Sequence, residues 1–474
     1  MVLRHTGTIP VPFRGARAGT HPLTWGQKDI YRAWSHQTPH AAFFNVRTML
    51  PVPAGTTLSQ VRAAVRWLVE EYESLRTTCP TRPAGGLYQR VRREGVLPLA
   101  VVAADGWNGD PDAPFPGFGT EFRPADDFPL RVAVVTANDA PAWVVLELSH
   151  LSVDLTGARL VRRALTGRLS GVRDQAPVER PPVERSPVER YQPADRAADE
   201  ATPAAAALHR RAVGYLRGVL DPAMVPTFGA ADLGSAPSGP RPRTRMRSPA
   251  LGAAVGVLAA RHAVTAAQVY LGLLAVVVGT LSGRTACVLN TVASNRWISR
   301  GVDYVGTLNQ YAPMAVDLAD ADLPTVLRRA QVASLDAFSN ALYDMDDLVD
   351  GGLATLLDQV DCVVNNVHRS APAAPVPPDG IPALRAHTDV TEAPLLGSAP
   401  PHVRRAVHLS VAGTGAAPEL LLSVDPRLVG ATNPADVLAA VEAAAVAEAT
   451  RPPEGGRPAL ALMEKALGSR TPAR

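Results

Sequence analysis

Lysine is almost missing from this chain: Lys28 and Lys465 are the only two among 47 basic residues, so arginine carries nearly all the positive charge. With 44 prolines and 37 glycines, that skew suggests a GC-rich coding sequence and weakens any argument from a single arginine. Cysteine is scarce too. Cys79, Cys287 and Cys362 lie far apart, are odd in number and form no CxxC pair, which excludes a disulfide scaffold and a cysteine zinc site. Reduced core thiols in a cytoplasmic protein are expected. The net charge is only +3, and no block of one sign is long enough for a nucleic-acid or lipid surface. The N-terminus lacks the apolar stretch of a secretory signal. Val264 to Gly283 imitates a membrane span but holds Thr265, Gln268, Thr280 and Ser282, and its continuous apolar part is about half the ~20 residues a bilayer requires. A helix buried within a lobe is expected instead.

What is present suffices for more than one core. The chain, 474 residues long, is about three times a ~150-residue domain. Hydrophobic residues make up 46% and charged ones 19%, so each of two lobes can bury an interior; at 5% aromatics, the packing falls to aliphatic side chains. The segment Pro177-Val-Glu-Arg, Pro182-Val-Glu-Arg, Pro187-Val-Glu-Arg repeats every five residues and favours extended chain. The expected organisation is an N-terminal lobe over 1–175, a linker over 176–200 and a C-terminal lobe over 201–474.

Periodicity predicts an amphipathic helix over Leu58 to Leu75, capped by Thr57 or Ser59, and strands at Pro129 to Val135 and Trp143 to Leu148 joined by a turn at Asn138-Asp-Ala-Pro. Helices are expected at Leu155 to Leu169, Pro203 to Leu220, Val264 to Gly279, Pro324 to Phe338 and, last, Ala435 to Ala449. Strand signals fall at Ala286 to Ala293, Val302 to Val316, Asp361 to Val367, Val407 to Val411 and Leu420 to Val424. Arg241, Arg243, Arg245 and Arg247 alternate and would share one face of a strand. They suit an arginine-decorated exposed edge or a surface for an acidic or phosphate-bearing partner.

No Gly-rich phosphate loop, GxSxG elbow, HExxH or cysteine–histidine metal spacing occurs. His150 stands out by context. It lies in Val144-Val-Leu-Glu-Leu-Ser-His-Leu-Ser-Val-Asp-Leu-Thr-Gly157, where a buried strand runs out just before a helix. A histidine there can have one ring nitrogen held while the other faces a cavity, as a general base requires. Asp154 can fix the loop by pairing with an arginine.

This segment resembles the HHxxxDG motif of nonribosomal peptide synthetase condensation domains and the wider chloramphenicol acetyltransferase-like acyltransferases. Leu23-Thr-Trp-Gly-Gln27 is similar to the family's opening segment, and Glu71-Tyr-Glu-Ser-Leu-Arg-Thr-Thr-Cys79 to its RHExLRTxF stretch. Ser294-Asn-Arg296 with Val305-Gly-Thr-Leu-Asn-Gln310 and Pro313 resembles the second-lobe arginine and VGxFVNxxP segment. The closing strands and helix follow in order.

The resemblance implies an α/β fold of α+β type, with two chloramphenicol-acetyltransferase-like lobes in a V-shaped pseudo-dimer around a central tunnel. It implies an amide-forming acyltransferase of natural-product biosynthesis that joins a donor thioester to an amine acceptor, either a small molecule or one held on a second carrier. The donor would ride on the phosphopantetheine of an acidic acyl or peptidyl carrier protein acting in trans, or on coenzyme A. No bound cofactor, metal, nucleic acid or membrane is expected, and the enzyme is expected to be freestanding and monomeric. His150 would be the base or proton-positioning group. Asp154, Arg296, Ser149 and Gly157 would be structural; Leu155, Gln310, Asn309 and Arg76 would line the tunnel; and Arg241, Arg243, Arg245 and Arg247 would contact the carrier. Ser149 stands where the motif has its first histidine, Leu155 where it has glycine, and Gln310 where the family has asparagine. An ester-forming acyltransferase and a non-catalytic docking relative are the alternatives.

Overall fold

The computed structural model describes residues 3–36, 41–83, 85–104, 107, 109, 113–171, 190–229, 239–298, 300–370, 380–396, 405–430, 432–451 and 458–468. The chain divides into two compact units, Met1–Ala207 with Ser294–Asn309, and Leu208–Ala293 with Gln310–Arg474.

The first unit contains β1 (Arg4–Arg14), β2 (Gly19–Pro22), α1 (Trp25–Ser35), β3 (Val46–Pro51), α2 (Leu58–Glu71), β4 (Thr77–Thr78), β5 (Tyr88–Val91), β6 (Glu94–Ala103), β7 (Leu130–Ala137), β8 (Ala140–Leu148), α3 (Leu155–Leu169) and α4 (Pro193–Glu200). Its main sheet runs β1-β6-β7-β8-β3, with β6 and β7 parallel and the other pairs antiparallel; β2, β5 and β4 form a smaller sheet. Alternation along the strands makes the main sheet two-sided. Leu99, Val132, Val134, Leu146 and Leu148 pack with Val61, Val65 and Leu68 of α2 and Val161 and Leu165 of α3, whereas Val102, Ala133, Val135 and Val145 face Phe115 and Trp107. Thr57 caps α2 in a capping box with Gln60. Asn138 and Asp139, both at positive φ, form the two-residue turn between β7 and β8.

The second unit holds a seven-stranded sheet and begins within α5 (Pro203–Val219). Its strands are β9 (Arg241–Arg247), β10 (Ala286–Ala293), β11 (Gln310–Asp317), β12 (Cys362–Asn366), β14 (Asp389–Leu396), β15 (Val407–Ala412) and β17 (Glu419–Val424), in the order β11-β10-β12-β15-β17-β9-β14. β13 (Arg369–Ser370) and β16 (Thr414–Gly415) form a separate parallel pair. One sheet face packs under α6 (Pro249–His262), α7 (Ala266–Ser282), α8 (Leu323–Ser339) and α13 (Pro434–Thr450). On the other, Val288 of β10 meets α5, α9 (Met345–Asp350) and α10 (Leu353–Asp358). Every residue of α7 from Gln268 to Gly279 is buried, which explains its membrane-like sequence. No single helix among the described residues is long and apolar enough to cross a bilayer. The three cysteines are free and buried, and burial pushes the Cys79 thiol up to about 12.

The structure corrects the expected organisation in four places. The linker ends earlier than residue 200. Its Pro177 to Glu189 part lies outside the described residues, but from Arg190 onward the chain docks on the first unit. Gln192 accepts from the Glu73 amide (3.0 Å) and donates to the Glu71 carbonyl (2.9 Å), Arg17 grips both carboxylate oxygens of Asp195 (2.8 and 3.0 Å), and Glu200 accepts from the Trp25 amide (2.8 Å). Arg296, expected from the second lobe, belongs to the first unit with the rest of Ser294–Asn309. The strand expected from Val302 begins only at Gln310, because the preceding residues follow the irregular backbone that packs against α1 and α3. β9 is no edge: β14 covers its outer side, so Arg241 is buried and only Arg245 and Arg247 are exposed.

Candidate active site

β8 delivers the chain to a tight turn that starts at Ser149. The Ser149 carbonyl accepts from both the Ser152 and Val153 amides (3.0 Å each), while its own amide donates to the Pro129 carbonyl (3.0 Å). α3 then begins at Leu155 with Asp154 as its N-cap, Oδ1 accepting from the Gly157 amide (2.7 Å). The turn is thereby tied at both ends, and His150 sits at its apex.

Asp154 does more than cap. Its Oδ1 also receives the Arg296 guanidinium and its Oδ2 accepts from the Leu308 amide (3.1 Å), while its amide donates to the Gly306 carbonyl (3.3 Å). Arg296 reaches onward to the Gly301 (3.1 Å), Tyr304 and Gly306 (3.3 Å) carbonyls. The pair is almost shut off from solvent, with side-chain exposures of 12% and 6%, so the carboxylate fixes geometry and is not available to a substrate. A Cβ on Gly157 would stand 2.9 Å from Val153 and 3.2 Å from the Gly306 carbonyl oxygen, and one on Gly26 would stand 2.4 Å from the Thr307 oxygen. Both glycines let α3 and α1 close on the 306–308 backbone.

Thr307 completes the clamp by donating its hydroxyl to the His150 carbonyl (2.7 Å). The ring of His150 is half-buried, set edge-on to Phe44 at 6.4 Å, and its Nδ1 is enclosed with no hydrogen-bond partner. Burial pulls its pKa below the ordinary value, against the opposing effects of its own backbone carbonyl and the Asp154 carboxylate. At neutral pH the imidazole is therefore neutral and can accept a proton.

The remaining expected residues fall in different places. Leu155 is half-buried and packs against the core of the first unit. Asn309 is half-buried, with an enclosed Oδ1 that has no partner. Gln310 is buried in the second unit and donates to the Tyr343 carbonyl (2.8 Å). Arg76 does not line an open site: 1% exposed, it spends Nη1 on the Arg17 (2.8 Å) and Arg92 (2.7 Å) carbonyls. Arg241 to Arg247 lie in the second unit. Thr307 and Gly306 were missed as individual positions, although both sit inside the Val305–Gln310 segment that drew attention.

A family model described as Condensation domain matches residues 17–355. The chain belongs to the condensation domain family. Three solved structures share its mixed α/β fold at low identity. The condensation domain from the monacolin K polyketide synthase MokA superposes with a TM-score of 0.68 at 14% identity, covering 92% of this chain and 99% of that one. The X-domain in complex with OxyB from teicoplanin biosynthesis gives 0.66 at 18%, covering 94% and 96%. The structure concerned with condensation domain-mediated chain release from the enacyloxin polyketide synthase gives 0.65 at 18%, covering 97% and 85%. No curated protein sequence matches the chain.

Proposed function

We propose that this condensation-family protein is an acyltransferase that joins an acyl thioester, carried on phosphopantetheine, to an amine acceptor, with His150 as the general base. The observation that carries this reading is a neutral imidazole at the apex of a turn whose backbone is held by Thr307, Asp154 and Arg296. A thioester is already activated, so the reaction needs a positioned acceptor, a proton acceptor and exclusion of water. His150 takes the proton from the attacking amine as the C–N bond forms; collapse of the tetrahedral adduct then breaks the C–S bond and the thiolate regains a proton. The partners in this reading are a carrier protein in trans, or coenzyme A, and a small amine or a second carrier.

Incubating wild type and His150→Ala with acyl-pantetheine thioesters, and with matched amine and alcohol acceptors, tests it by mass spectrometry. Amide formed by wild type and lowered by roughly 10²–10⁴-fold in the variant is the expected result. Ester alone would move the reading to an alcohol acceptor. Equal product from both proteins would remove His150 from the chemistry. Ser149 and Leu155, where the family motif has histidine and glycine, favour the docking reading, which gains if neither protein makes product yet both hold a carrier.

A further inference from the structure

A histidine that serves as a base is usually aimed by a hydrogen bond to the ring nitrogen that does not react. His150 has no such partner from a side chain. Its Nδ1 is enclosed without a hydrogen bond, and the oxygens of the neighbouring Asp154 are committed to the Gly157 amide, Arg296 and the Leu308 amide. The aim of the ring therefore depends on the edge of Phe44 and on the backbone that carries it.

Among the described residues, only Thr307 bonds to the backbone of His150, its hydroxyl donating to the His150 carbonyl (2.7 Å). Thr307 is itself fixed before any substrate arrives. It is 1% exposed, and the residues on both sides of it are tied to Asp154: the Gly306 carbonyl accepts from the Asp154 amide (3.3 Å), and the Leu308 amide donates to Oδ2 (3.1 Å). α1 presses on it as well, so closely that a Cβ on Gly26 would stand 2.4 Å from the Thr307 carbonyl oxygen. The His150 carbonyl that Thr307 grips is also the one that acts on the imidazole. A carbonyl oxygen has two lone pairs, so it can accept from the hydroxyl and still face the ring.

We propose that Thr307 is a positioning residue for acyl transfer: its hydroxyl, acting through the His150 carbonyl, holds the imidazole where it meets the attacking amine. The inference rests on His150 as the base. It assigns to one hydroxyl a task that the Asp154–Arg296 pair does not perform, because that pair fastens the 306–308 backbone to the turn and makes no hydrogen bond to His150. Thr307 carries the hold from that backbone to residue 150.

The test compares wild type, Thr307→Val, Thr307→Ser and His150→Ala in the full chain, with an acyl-pantetheine thioester and an amine acceptor. Valine keeps the shape of the side chain and removes the donor, whereas serine keeps the donor. Thr307→Val should lower kcat about tenfold with KM within about twofold of wild type, and Thr307→Ser should recover most of the loss. Thr307→Ala, set against Thr307→Ser at nearly equal volume, repeats the contrast where valine destabilises the fold. A second arm needs no turnover: the nitrogen NMR shifts of the His150 ring should move in Thr307→Val and stay near wild type in Thr307→Ser. A wild-type kcat in Thr307→Val beside a loss in His150→Ala overturns the proposal and leaves the base in place. Undiminished product from His150→Ala overturns the base, and the proposal with it. A loss equal in the valine and serine variants, or confined to KM, overturns the positioning role. So do ring shifts that Thr307→Val leaves unchanged while it melts like wild type.

Discussion

Two histidines in this protein are both kept neutral by burial, yet their surroundings suit them to different work. His150 stands on a turn beside the carboxylate of Asp154, which opposes the effect of burial on its pKa. His408 stands on a strand among Arg405, Arg241 and Arg243, which add to that effect and bring it to about 3. A general base needs a pKa near the working pH. Asp154 pushes the first residue toward that condition and the arginines push the second away from it, which leaves the second as a hydrogen-bond donor. Burial alone therefore does not mark a catalytic histidine; the sign of the neighbouring charge decides.

The sharpest way to break this contrast short of turnover is to remove what fixes the first site. Arg296→Ala leaves the buried Asp154 carboxylate uncompensated and should cost about 3–5 kcal/mol, measured by denaturant unfolding. A cost below about 1 kcal/mol would mean that the pair behaves like a surface ion pair and does not hold the turn. Gly157→Ala adds a Cβ against Val153 and the Gly306 backbone, with an expected cost of about 1–3 kcal/mol and a fall in activity from the displaced turn.

The second histidine is tested by pH. His408 has a folded-state pKa of about 3 against an ordinary 6.5, so between those values the unfolded chain binds more protons than the folded one. Its contribution to stability is present above the ordinary value and is lost as pH falls toward 3. Melting temperature followed from about pH 7 to about pH 4 should drop less steeply in His408→Gln than in wild type. The same slope in both would show that His408 does not carry the acid sensitivity.

Elements whose apolar spacing is strong were legible in the sequence. α3 spans Leu155–Leu169 and β10 spans Ala286–Ala293, as the periodicity predicts, and α7 is the buried helix its composition implies. β1, where Pro10 and Pro12 interrupt the alternation of Ile9, Val11 and Phe13, and β14, which is almost wholly exposed, went unseen. α14 (Ala459–Gly468) follows the helix expected to be last. The assignment of Ser294–Asn309 to the first unit was illegible for a different reason: it depends on Asp154 and two glycines contacting a segment more than 140 residues away. His150 and Asp154 were legible because strand, turn and helix meet there within a few residues. His408 lay inside a stretch read only as a strand, and its surroundings depend on three pairings that no local pattern reveals.

The most direct test of the contrast is the kcat of His150→Gln beside that of His408→Gln in one acyl-transfer assay. The account predicts that the first falls by about 10²-fold or more, while the second keeps a wild-type kcat. Equal losses in kcat, or an unimpaired His150→Gln, would contradict it.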